Sequence, residues 1–138
     1  MKKIDYNELE SKLVKFLQDE VAAAGFDRVI FGMSGGIDSA TVAVLCKKAF
    51  GSNVRAIMMP SDTTNPVHMS HALTMCEKFD IEAEHVSIKN MLLSYPLTLT
   101  PLRKGNLAAR LRMSVLYDIS SRDRALGRLS TAPKCFLI

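Results

Sequence analysis

Three short runs rich in apolar and β-branched residues, "RVIF" at 28–31, "VRAIMM" at 54–59 and "EAEHVSI" at 82–88, are separated by longer stretches with helical spacing. Strands spaced that way cannot be joined by tight turns. The chain has to return through a helix each time, which makes the sheet parallel and the crossovers right-handed. The helical stretches carry their own signals. From Tyr6 to Ala24, Leu9, Leu13, Phe16, Leu17 and Val21 recur at steps of three and four, with Asp5 and Glu8 as a capping pair and Gly25 as the stop. "SATVAVLCKKAF", ending at Gly51, reads as a mostly buried helix, and Val67 to Phe79 as a third. The expected fold is α/β with a doubly wound parallel sheet.

Residues 94–105, "SYPLTLTPLRKG", contain two prolines and no period and read as a loop. After them, "NLAARLRMSVLYDISSRDR" is helical, with Leu107, Leu111, Val115 and Ile119 on one face and Arg110 and Arg112 off it. With 138 residues, 48% hydrophobic and 23% charged, the chain suits one folded domain and not a disordered polymer. Cys46, Cys76 and Cys135 are far apart and form no CxxC pair, so neither a disulfide framework nor a zinc site is expected, and the thiols suit a reducing cytoplasm. The amino terminus lacks a signal-peptide core, and no window has the apolar length of a membrane span. Residues 1–101 carry ten Lys/Arg and twelve Asp/Glu, whereas residues 102–138 carry eight and two. That basic end fits an anionic partner or a solvated helix face equally well.

The junction "GMSGGIDS", residues 32–39, follows the first strand and opens a helix. In open parallel sheets ligands sit beyond the carboxyl ends of the strands, where glycines let successive N–H groups point into one hollow and a helix adds its unpaired donors. Gly32, Met33, Ser34, Gly35, Gly36, Ile37, Asp38 and Ser39 therefore form a candidate anion cradle. The hydroxyls of Ser34 and Ser39 would add donors. Asp38 among them would repel phosphate unless a cation lay between, and magnesium held by a carboxylate and phosphate oxygens meets that need. The alternative role for Asp38 is a helix cap or first-turn acid. A Walker A loop needs a lysine after its glycine, and the dinucleotide fingerprint needs GxGxxG; neither is present. His68 and His71 read as a surface pair without a third ligand, and His85 has no special role.

"SGGIDS" after a strand resembles the pyrophosphate loop of the N-type ATP pyrophosphatases, which cleave ATP to AMP and pyrophosphate while adenylating a substrate. "KGNLAARLRMSVLYD", residues 104–118, is similar to the GNxxARxRMxxLY segment of ammonia-dependent NAD synthetases. With the opening helix and "AIMMPS", the resemblance spans nearly all of residues 6–124. It implies an adenine nucleotide alpha hydrolase-like, Rossmann-like fold and the conversion of deamido-NAD, ATP and ammonia to NAD, AMP and pyrophosphate. It further implies that Gly32 to Ser39 hold the ATP phosphates, Asp38 a Mg²⁺ ion, and Arg110 the deamido-NAD, with Arg112 an alternative contact or a surface arginine. Met58 would lie near the adenine through its backbone, or simply in the core. Ammonia is the implied nitrogen source, and a cytoplasmic homodimer is expected, with no nucleic-acid or membrane partner.

The resemblance stops near residue 124. The family continues with a fourth strand and a segment like GTxNxxE, supplying an ATP contact and a second Mg²⁺ ligand, whereas this sequence reads "ALGRLSTAPKCFLI", with no acid after Asp123. Residues 1–124 are thus read as the N-terminal part of an ATP-pyrophosphatase domain and 125–138 as an aberrant tail, as truncation or a frameshift would produce. Missing strands would leave unpaired edges and low solubility, and activity is expected to be impaired. The competing readings are a non-catalytic nucleotide-binding or dimerising remnant, and another SGGxDS adenylating enzyme that acts on tRNA.

Overall fold

The computed structural model describes residues 3–129. The elements follow in the order α1 (Tyr6–Ala23), β1 (Val29–Gly32), α2 (Ile37–Phe50), β2 (Val54–Met58), α3 (Pro66–Lys78), β3 (Glu82–His85), α4 (Lys89–Leu93), α5 (Pro101–Asp123) and β4 (Leu126–Leu129). The strands form one parallel sheet in the order β3-β2-β1-β4, with Gly32 in register with both Ile57 and Leu129. From β1 the chain steps outward to β2 and β3, then crosses over to the far side of β1. The strand order reverses between β1 and β4, and in a doubly wound sheet that switch point is where ligands bind.

Alternation along the strands separates two apolar layers. Val29, Phe31, Val54, Ala56 and Met58 face Val21 of α1, Ala43 and Cys46 of α2, and Ala72 and Cys76 of α3. On the other side, Ile30 and Ile57 pack with Met59 and Ile88 against Leu92 of α4 and Ala108, Val115, Leu116 and Ile119 of α5. Burial pushes the Cys76 thiol above its ordinary value, as expected of an apolar setting. Asp5 caps α1, accepting from the amides of Asn7 and Glu8 at 3.0 and 3.2 Å. Of the apolar stripe of α1, only Val21 is fully buried, and Leu9, Leu13 and Phe16 stay exposed.

Three expectations need correction. The loop expected over 94–105 ends at Thr100, whose side chain accepts from the Arg103 amide; Pro101 takes the first helical position and α5 runs on through Gly105. Pro there lacks only a donor that the helix could not have used. Arg112, expected off the apolar face of α5, lies one turn from both Ala108 and Leu116 and is half-buried against the sheet. Finally, residues 126–129, given no element by their composition, pair with β1 as a fourth strand. The remainder of the tail, including Cys135, lies outside the described residues. Among the described residues no helix is long and apolar enough to cross a membrane.

Candidate functional site

The chain leaves β1 at Gly32, and Met33 donates to the Ile57 carbonyl at 2.9 Å, so the bend begins firmly seated at the sheet's carboxyl edge. Gly35 has φ +82°, and a Cβ there would come within 2.0 Å of the His68 carbonyl oxygen. Only glycine meets both demands. Gly36 caps α2 without a side-chain bond. Ser39 is buried, and its hydroxyl donates to the Gly36 carbonyl at 2.9 Å while lying 3.1 Å from the Ser34 hydroxyl. Ser39 thus braces the turn from beneath. Ser34, which is exposed, is the hydroxyl at the cleft.

Inside the loop, the Ser34 and Gly36 amides meet hydroxyl oxygens at 3.4 Å, at the long limit for hydrogen bonds. The amides of Ile37, Asp38 and the Ser39 backbone open α2 and have no hydrogen-bond partner among the described residues. They are the unpaired donors of a helix start, at its positive dipole end. The Asp38 carboxylate is exposed in that first turn and makes neither a hydrogen bond nor an ion pair among the described residues.

Beside the loop lies a cleft of about 740 Å³. One wall holds Gly32, Met33 and Ser34, another residues 59–61 and 63–65 with His68, and the third the start and middle of α5, including Lys104 and Arg112. Asn65 caps α3 by accepting from the Val67 amide at 2.9 Å, so the amino ends of α3 and α5 border this space, and on the remaining side the lining ends at Ser34, three residues before α2 begins. Ser61, Thr63 and Thr64 hold the β2–α3 connection through mutual hydroxyl contacts of 3.1 to 3.3 Å. Lys104 pairs with Asp62 at 2.6 Å, and this contact keeps the Asp62 carboxyl below its usual range.

Arg112, left open between a contact and a surface residue, lines the cleft and donates from Nε to the Met59 carbonyl at 2.9 Å. Arg110 is exposed outside it, with Nη1 on the Asn106 carbonyl at 3.2 Å. Met58 is buried in the core and its carbonyl accepts from the Val86 amide, so the end of β2 presents Met59 to the cleft instead. Ser61, Thr64, Asn65, His68 and Lys104 went unrecognised as lining residues. Their only signal was position, just after a strand or at the head of a helix.

The NAD synthase family model matches residues 9–134. The chain belongs to the NAD synthase family. An NH(3)-dependent NAD(+) synthetase of Wolinella succinogenes is 43% identical over 121 residues, covering 86% of this chain and 47% of that protein. The solved NH3-dependent NAD synthetase of Campylobacter jejuni, in complex with nitrate ion, superposes with a TM-score of 0.85 at 36% identity, covering 91% of this chain and 56% of that one. The glutamine-dependent NAD+ synthetase of Acinetobacter baumannii, in complex with ADP, gives 0.83 at 28% identity, covering 92% and 26%. The chain spans about half the length of the curated relatives it matches. These matches bear out the expected fold and family.

Proposed function

We propose that this chain carries the ATP-phosphate half of an ammonia-dependent NAD synthetase site, whose reaction joins deamido-NAD and ammonia at the expense of ATP cleaved to AMP and pyrophosphate. The observation that carries this reading is the bend at Ser34–Ser39 in a member of the NAD synthase family, which lines a cleft with Ser34 and leads directly into the free amides of the α2 start. A relative of the same fold was solved in complex with ADP, which is in keeping with nucleotide binding by this fold.

Adenylation requires the nicotinate carboxylate to attack the α-phosphorus while pyrophosphate leaves. Charge spreads over phosphoryl oxygens in the transition state, so positioned amides and cations stabilise it more than the ground state. The loop supplies fixed N–H donors that need no reorganisation, and Ser34 adds a hydroxyl. Asp38 fits a Mg²⁺ ligand, being an exposed carboxylate without another partner beside the anion-seeking donors. When bound, the ion would neutralise phosphate charge. Among the described residues no three acidic, His or Cys side chains cluster as a metal site, so Asp38 would act with the phosphates themselves. Ammonia then displaces AMP from the acyl-adenylate. Arg110, exposed on α5, suits a deamido-NAD contact completed by a second copy of the chain, in a homodimer.

The chain spans about half the length of its curated relatives, and it is expected to bind ATP through the loop whether or not turnover follows. Incubation with deamido-NAD, ATP, Mg²⁺ and ammonium, with AMP and NAD both quantified, tests this. Nucleotide binding, with or without product, supports the reading, while failure to bind ATP contradicts it.

A further inference from the structure

Arg112 is a cation that the fold half-buries without a counter-charge among the described residues. Burial alone holds its guanidinium below the ordinary value, with no carboxylate contributing. The other arginines drawn against the sheet are compensated: Arg55 by Glu82, Glu84 and Asp123, and Arg122 by Glu84 and Asp123. In the cleft, Lys104 is matched by Asp62. Arg112 has instead one neutral acceptor, the Met59 carbonyl, which takes the Nε hydrogen and fixes the group at the end of β2. Desolvating a charge that the protein does not neutralise is unfavourable for the chain on its own.

The position of this group gives the unneutralised charge a use. Arg112 borders the same cleft as Gly32 and Ser34 but belongs to α5, which covers the sheet face opposite to α2. With Nε committed, the Nη hydrogens of a guanidinium remain as a planar fork suited to two oxygens of one tetrahedral oxyanion. We propose that Arg112 is a second phosphate-binding group of the cleft, receiving a phosphoryl oxyanion of the bound nucleotide from the face opposite the α2 amides. This rests on the cleft being the ATP site, as proposed above, and adds a positively charged wall to the loop.

The test titrates the full 138-residue chain with the Mg²⁺ complex of α,β-methylene ATP and, separately, with inorganic pyrophosphate. R112Q is expected to weaken the ATP analogue about tenfold or more, and R112K to recover part of that loss. Pyrophosphate affinity should fall in parallel if the contact is to the two terminal phosphoryls, and stay unchanged if it is to the α-phosphoryl; either result keeps the proposal. The melting temperature of ligand-free R112Q should equal or exceed that of the parent, because an uncompensated charge has been removed. K15Q, which deletes an exposed cation of α1, should change affinity by less than about twofold. Equal binding of the ATP analogue by R112Q and parent would overturn the proposal. So would a loss in R112Q that comes with a lower melting temperature and no recovery in R112K, since Arg112 would then only tether α5 to β2. If the parent binds no analogue, the ATP site falls and this proposal with it; if G35A abolishes binding while R112Q does not, only this proposal falls.

Discussion

Gly35 turns the chain with φ +82° directly beneath the His68 carbonyl, so the first turn of α3 sets how closely the loop can pack. A methyl group there would bring about 1–3 kcal/mol of backbone strain together with a clash onto backbone. We expect Gly35→Ala to lose ATP-analogue binding and to lower the urea midpoint, as titration and equilibrium unfolding would show. Asp38→Asn should behave differently. Its structural role is limited to a first-turn charge worth about 0.3–1 kcal/mol, so stability should barely change while the Mg²⁺ dependence of nucleotide binding disappears. Retained Mg²⁺ dependence would remove Asp38 from the metal site. At this scale the sequence was informative where chemistry is local. Two glycines, two serines and an aspartate at one strand–helix junction have few other uses, but the division of labour between Ser34 and Ser39 needed coordinates. Arg112 was legible only as one of two alternatives, a contact or a surface arginine, because a charged residue next to an apolar stripe can equally be solvated. Its placement follows from the i±4 neighbours Ala108 and Leu116 and not from its own type.

The ends of α5 join the site to the base of the sheet. Its amino end reaches the cleft through Lys104, and its carboxyl end enters an ion network in which Arg122 holds Glu84 at 2.7 and 3.0 Å and Arg55 holds Asp123 at 2.6 Å. Arg122 is the main cause keeping both the Glu84 and Asp123 carboxyls below their ordinary values, and their presence raises the Arg122 guanidinium further. Because the folded carboxyls titrate below the unfolded ones, the network stabilises the fold above the unfolded values of about 4 and loses that contribution as pH falls through the depressed folded values. The pairs are partly exposed, so solvent screens each of them and their contribution is small. Urea midpoints should hold between neutral pH and about pH 5 and decline below about pH 4. Glu84→Gln should shallow that decline, and an unaltered acid limb would show that the network contributes nothing. The starts of α1 and α5 illustrate what could be read at the level of elements. Asp5 announced its helix, whereas Thr100-Pro101 was an equally good start signal hidden among prolines that elsewhere mark loops. β4 has four residues and a glycine, and its strand state depends on pairing with β1, which no local pattern could reveal.

Across the whole molecule, helices on both faces of the sheet bring the starts of α3 and α5, the loop that enters α2 and a guanidinium with no counter-charge among the described residues to a single edge, at the strand-order reversal between β1 and β4. This arrangement was legible from alternation of strand and helix signals, because parallel strands leave few topologies open. Its chemistry was legible only in part, since the cleft's other walls come from segments far apart in sequence. The central claim is that the free amides of the α2 start receive the phosphates of ATP. The most direct measurement is residue-resolved amide NMR of the 138-residue chain titrated with Mg²⁺ and α,β-methylene ATP. The account predicts saturable shifts led by the Gly35 to Ser39 amides; saturable binding that leaves those amides unperturbed would contradict it.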